Sequence, residues 1–90
     1  MTPEDAIRRG ERAAAILNDP LVADTFAALE AEYVKQWRAA PLPEGREAIW
    51  HLLQNLVTFR GMFGAYIRSG QHAAAVRDRA DEAKRQDTES

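Results

Sequence analysis

Glu47, His51 and Asn55 fall four residues apart in a stretch of helical periodicity, so one helix face carries all three, and two of them could ligate a metal ion. A useful site needs more ligands than that. No second histidine is near in sequence, and the glutamate placed three residues before a histidine in di-iron bundles is absent. The trio therefore reads as a polar surface or interface patch, and neither a metal nor a cofactor is expected. His72 stands alone and reads as a solvated residue after a helix end. Gly61 and Gly64 sit in an apolar helical run with no lysine following, which matches no phosphate-binding loop. Ser69 and Ser90 lack a nucleophile context. The absence of cysteine removes thiolate chemistry, disulfides and cysteine-ligated zinc. No catalytic residue emerges, and the chain is expected not to be an enzyme.

Two groups remain that suit binding. Arg8, Arg9 and Arg12 form the densest basic cluster and offer contacts to nucleic-acid phosphates or to an acidic protein partner. Glu4, Asp5 and Glu11 are interleaved with them, and the formal net charge of −2 lacks the positive excess that drives phosphate-backbone binding. Nucleic acid is thus only weakly supported as a partner, and a solvated face with helix ion pairs is the plainer reading of the cluster. The second group is a face made of His51, Gln54, Asn55, Thr58, Met62 and Ala65, with Trp50 beside it. Solvent ordinarily selects charge on an outer helix face, and this one has none in its neutral-histidine state. It is the expected interface for self-association. Tyr33, Trp37 and Tyr66 fall on apolar stripes, so packing accounts for them better than base stacking does.

The elements that carry these residues are all helical. Thr2-Pro3-Glu4-Asp5 is a helix start, with a capping hydroxyl, a proline at the first helical position and acids at the positive dipole end. Asn18-Asp19-Pro20 repeats the grammar of stop and start, and Ala40-Pro41-Leu42-Pro43-Glu44-Gly45 marks a loop between neighbouring antiparallel helices. Helices are predicted near 3 to 18, 20 to 39 and 44 to 69, with a less certain segment from 71 to 86. Gly70 reads as a left-handed cap that ends the third helix. Gly61 and Gly64 read as points of close packing or a modest kink ahead of a break. The predicted fold class is all-α: a helical hairpin of two long antiparallel helices, with a short N-terminal helix and a weak C-terminal helix. Residues 1–86 read as a single domain, and 87–90 as a disordered tail.

Of 41 hydrophobic residues among 90, 17 are alanine, so the core must be thin. Phe26, Leu29, Tyr33, Leu53, Leu56 and Phe63 are expected to lead it. A small domain with more apolar helix surface than it can cover commonly oligomerises. The acidic start does not resemble a secretory signal, and no stretch is apolar enough to span a membrane. A host-cell cytoplasmic or virion-associated location is therefore expected.

Ala15-Ile16-Leu17-Asn18-Asp19-Pro20-Leu21, Phe26, Leu29-Glu30-Ala31-Glu32-Tyr33, Trp37-Arg38, Gly45-Arg46-Glu47 and Gly70 together resemble short helical proteins encoded by tailed bacteriophages and prophages. The resemblance spans most of residues 6 to 76 and transfers no functional residues. It implies a small protein of the head-assembly and DNA-packaging neighbourhood, similar at best to a small terminase subunit. The chain departs from that pattern in having no separate helix-turn-helix before the hairpin and a slightly acidic charge balance. The alternative is a phage-encoded regulator or inhibitor that binds a host protein.

Overall fold

The computed structural model describes residues 1–89, with side chains through Asp87. Three helices account for almost all of them: α1 (Pro3–Asn18), α2 (Pro20–Ala39) and α3 (Pro43–Glu89). No strand occurs among the described residues.

The start of α1 is a reciprocal capping box. The Thr2 hydroxyl accepts from the Asp5 amide at 3.2 Å, and the Thr2 amide donates to Asp5 Oδ2 at 3.4 Å. Arg8 then pairs with the other carboxylate oxygen of Asp5. Hydrogen bonding with the Thr2 hydroxyl, and next with Arg8 and the Thr2 amide, holds the Asp5 carboxyl below its usual value. A carboxyl whose folded-state pKa is depressed contributes stability above its unfolded pKa, and that contribution is lost as pH falls through the lowered value. In Thr2→Ala the Asp5 carboxyl is expected to titrate nearer its ordinary range, with a frayed first turn. A carboxyl-detected NMR titration measures this, and an unmoved Asp5 would show that the box is not what holds it.

Between α1 and α2 only Asp19 leaves the helix, in an extended conformation with φ −65° and ψ 124°. Its Oδ1 accepts from the Leu21 amide at 2.9 Å and the Val22 amide at 3.2 Å, while Pro20 fills the first helical position. Caps of this kind contribute about 1 kcal/mol. Ala40-Pro41-Leu42 makes the second turn. There Arg46 Nε donates to the Ala40 carbonyl at 3.1 Å, and its guanidinium stands 5.6 Å from the centre of the Trp37 ring. One side chain thus closes the end of α2 against the start of α3.

The long run of α3 corrects the sequence reading. Gly70 does not end a helix, no glycine has a positive φ, and residues 71–86 continue α3 instead of forming a separate segment. Residues 87–89, expected to be disordered, are also helical, and residue 90 lies outside the described residues. Because a left-handed glycine is only one use of the residue, Gly70 is explained by what lies against it.

Contacts divide the chain into two compact units, where the sequence reads as one domain of residues 1–86. The first unites Met1–Ala15 with α3 from Phe63 onward. Here Gly10 and Gly70 are both buried and face each other: a Cβ built on Gly10 would lie 3.2 Å from the Gly70 Cα and 2.8 Å from the Tyr66 carbonyl oxygen. The backbones of α1 and α3 meet where side chains would keep them apart. Ala13, one turn after Gly10, is buried, and the half-buried Ile7, Ala14, Ile67 and Ala74 line a groove together with the two glycines. A Cβ added at Gly61 would have no atom within 4 Å, and one at Gly64 would meet only the tip of Arg68, so neither is a point of close helix packing.

The second unit, Ile16–Met62, contains the end of α1, all of α2 and the first part of α3. Phe26 on α2 meets Phe59 on α3 with ring centres 6.1 Å apart, and Val22, Tyr33, Leu53 and Leu56 are half-buried. Leu29, expected in the core, is exposed. Among the described residues Ala13 is the only buried hydrophobic side chain, so the expected leaders of the core are at best half-buried. A chain in which 17 of 41 hydrophobic residues are alanine gives its helices little with which to cover each other.

Candidate interaction surface

The expected interface residues Trp50, His51, Gln54, Asn55, Thr58 and Met62 all lie exposed on the first part of α3. Trp50 is 50% accessible and Met62 49%. His51 sits edge-on to Trp50 with ring centres 5.2 Å apart, and its Nε2 is 3.8 Å from a Glu47 carboxylate oxygen. A weak surface ion pair is available there when the imidazole is protonated. No group of three or more potential metal ligands converges among the described residues. Ala65 belongs to the other unit, where it is half-buried.

The structure adds apolar exposure that the sequence periodicity hid. Leu52 and Phe59 recur at helical spacing beside the expected core residues Leu53 and Leu56, yet both are exposed, Phe59 at 57%. Val57 is more open still at 63%, and Trp37, expected on the packed stripe of α2, is 41% exposed with the Arg46 guanidinium over its ring. Periodicity identifies a stripe wider than the single partner helix covers. Its flanks are therefore left in solvent.

The three arginines of the basic cluster have different surroundings. Arg8 is engaged by Asp5, and Arg9 turns inward so that its guanidinium carbon lies 4.3 Å from the centre of the Tyr66 ring. Arg9 Nε is buried without a hydrogen-bond partner, leaving the ring face as its electrostatic compensation. Arg12 is exposed. His72, read from sequence as following a helix end, is an exposed residue within α3 that shares a cleft with Arg9 and Arg77.

A separate cleft of about 460 Å³ opens in the second unit between α2 and α3. Leu17, Phe26, Leu53, Leu56, Val57 and Gly61 make its apolar lining, with Glu30 contributed by α2 and Arg60 by α3. The Arg60 guanidinium lies 5.9 Å from the centre of the Phe26 ring, and Glu30 forms no ion pair among the described residues. Phe59, Arg60 and Phe26 thus border one half-covered aromatic site. No helix is long and apolar enough to cross a membrane among the described residues. No protein-family model, curated protein or solved structure matches the chain.

Proposed function

We propose that the chain is a non-enzymatic phage structural or DNA-packaging accessory protein that acts through self-association. In this reading α2 and the first part of α3 form an antiparallel helical hairpin, and its uncovered flanks are completed by further copies. The observation that carries the reading is the exposure of large apolar side chains on one unit, Trp37, Trp50, Leu52, Val57, Phe59 and Met62 among them, where a self-sufficient domain would cover most of them. The head-assembly and packaging setting is supported by the resemblance across residues 6 to 76. Arg8 pairs with Asp5 and Arg9 lies over the Tyr66 ring, which leaves less of the cluster for any anionic partner, nucleic acid or acidic protein alike.

Light scattering at micromolar concentration is expected to give a mass above the monomer. Thr58→Glu places a charge at the centre of the uncharged outer face of α3 and is expected to lower that mass while far-UV circular dichroism stays helical. A parent that remains monomeric at high micromolar concentration would overturn self-association and leave the regulator of a host protein as the better account.

A further inference from the structure

The cleft between α2 and α3 has two properties that bear on what fills it. Its lining is mainly apolar, and its charges are one of each sign, Glu30 on the α2 side and Arg60 on the α3 side. The two are not paired with each other. A twofold axis running along the cleft repeats the same patch on both molecules so that a residue on one wall meets the opposite wall of the second copy, whereas an axis across the cleft would set each wall against itself. Charges of opposite sign on opposite walls are then complementary without any change of sequence. Val57 at the lip is largely exposed and becomes the apolar side chain that each copy brings to the other.

We infer that a second copy of this chain occupies the α2–α3 cleft in an isologous pair, with Glu30 of each copy opposite Arg60 of the other. This rests on the self-association proposed above and gives it an address. Arg60 follows Thr58 by two residues, roughly 200° round the helix, so the cleft contact is distinct from the outer face of α3. One face closes a pair, and the other can join pairs.

The test uses charge reversal and mixing on the full chain. Glu30→Arg alone sets arginine against Arg60 twice across the axis, and Arg60→Glu alone sets glutamate against Glu30 twice. Each is expected to weaken the pair by about tenfold or more, since like charges brought together at an interface are strongly disfavoured. Mixed one to one, the two variants carry only complementary pairs across the axis, and association is expected to return as a heterodimer. The double variant is expected to associate like the parent. Restoration by mixing cannot arise from a role within one molecule, because each variant keeps its own altered wall. Sedimentation velocity reads all four samples, and circular dichroism checks that each remains helical. An associating parent whose mass is unmoved by either reversal overturns the cleft contact and leaves self-association standing. Singles that dissociate but do not recover on mixing also overturn it. A parent that never associates overturns both.

Discussion

Gly61→Ala is expected to raise the thermal midpoint, whereas the same substitution at Gly10 or Gly70 is expected to lower it. All three are helical glycines without a positive φ, so backbone conformation does not separate them. At Gly61 an added Cβ meets nothing within 4 Å, and alanine gains about 0.5–1 kcal/mol by reducing the freedom of the unfolded chain and favouring the helix. At Gly10 the Cβ meets the Tyr66 carbonyl oxygen at 2.8 Å, and at Gly70 it meets the Ala6 carbonyl oxygen at 3.0 Å. Both obstacles are backbone, which cannot swing aside as a side chain does. The helices must separate, and the burial of Ala13, one turn after Gly10, is weakened with them. Overpacking of this kind costs about 1–3 kcal/mol, which exceeds the propensity gain. A change of about 1 kcal/mol moves the midpoint of a domain this size by about 4–8 °C, so melts followed by circular dichroism resolve the signs. Three variants that shift together in one direction would show that the crossing is not close.

Those glycines also mark where sequence reading stops. Thr2-Pro3 and Asp19-Pro20 announce helix starts through bonds made within four residues, and the capping hydrogen bonds of Thr2 and Asp19 form as those residue types require. Ile7, Gly10 and Ala14 are likewise legible as one face of α1, because their spacing is local. Nothing local says that Gly10 meets Gly70, about sixty positions away. Without that partner, Gly70 follows the commoner rule for glycine at the end of an apolar run and reads as a stop, while Gly61 and Gly64 suggest a close approach that occurs elsewhere. The candidate surface divides the same way. The uncharged outer face of α3 is a pattern in the sequence, but the exposure of Leu52, Val57 and Phe59 depends on how much of α3 a single alanine-rich α2 covers. Arg46 escapes sequence reading for a related reason: its tie to Ala40 and Trp37 exists only once the turn has folded.

Phe26→Ala and Leu56→Ala are expected to be the most disruptive changes in the second unit. Phe26 contacts the Phe59 ring, lies under Arg60 and lines the cleft with Leu53 and Leu56, so its loss removes the common element of several contacts. A fully buried phenylalanine costs about 3–5 kcal/mol when truncated, but both residues here are half-buried, and about 1.5–3 kcal/mol is expected for each. The figure should depend on protein concentration. If a second copy closes the cleft, part of the apolar burial of Phe26 and Leu56 is made between molecules, and mass action then raises the midpoint of the parent as concentration rises. Both alanine variants should flatten that dependence as well as lower the midpoint, which a change confined to one molecule would not do. Calorimetry at two concentrations about a hundredfold apart separates the effects. Variants that melt within a degree or two of the parent at both concentrations would show that the inward face of α2 and α3 has been misassigned.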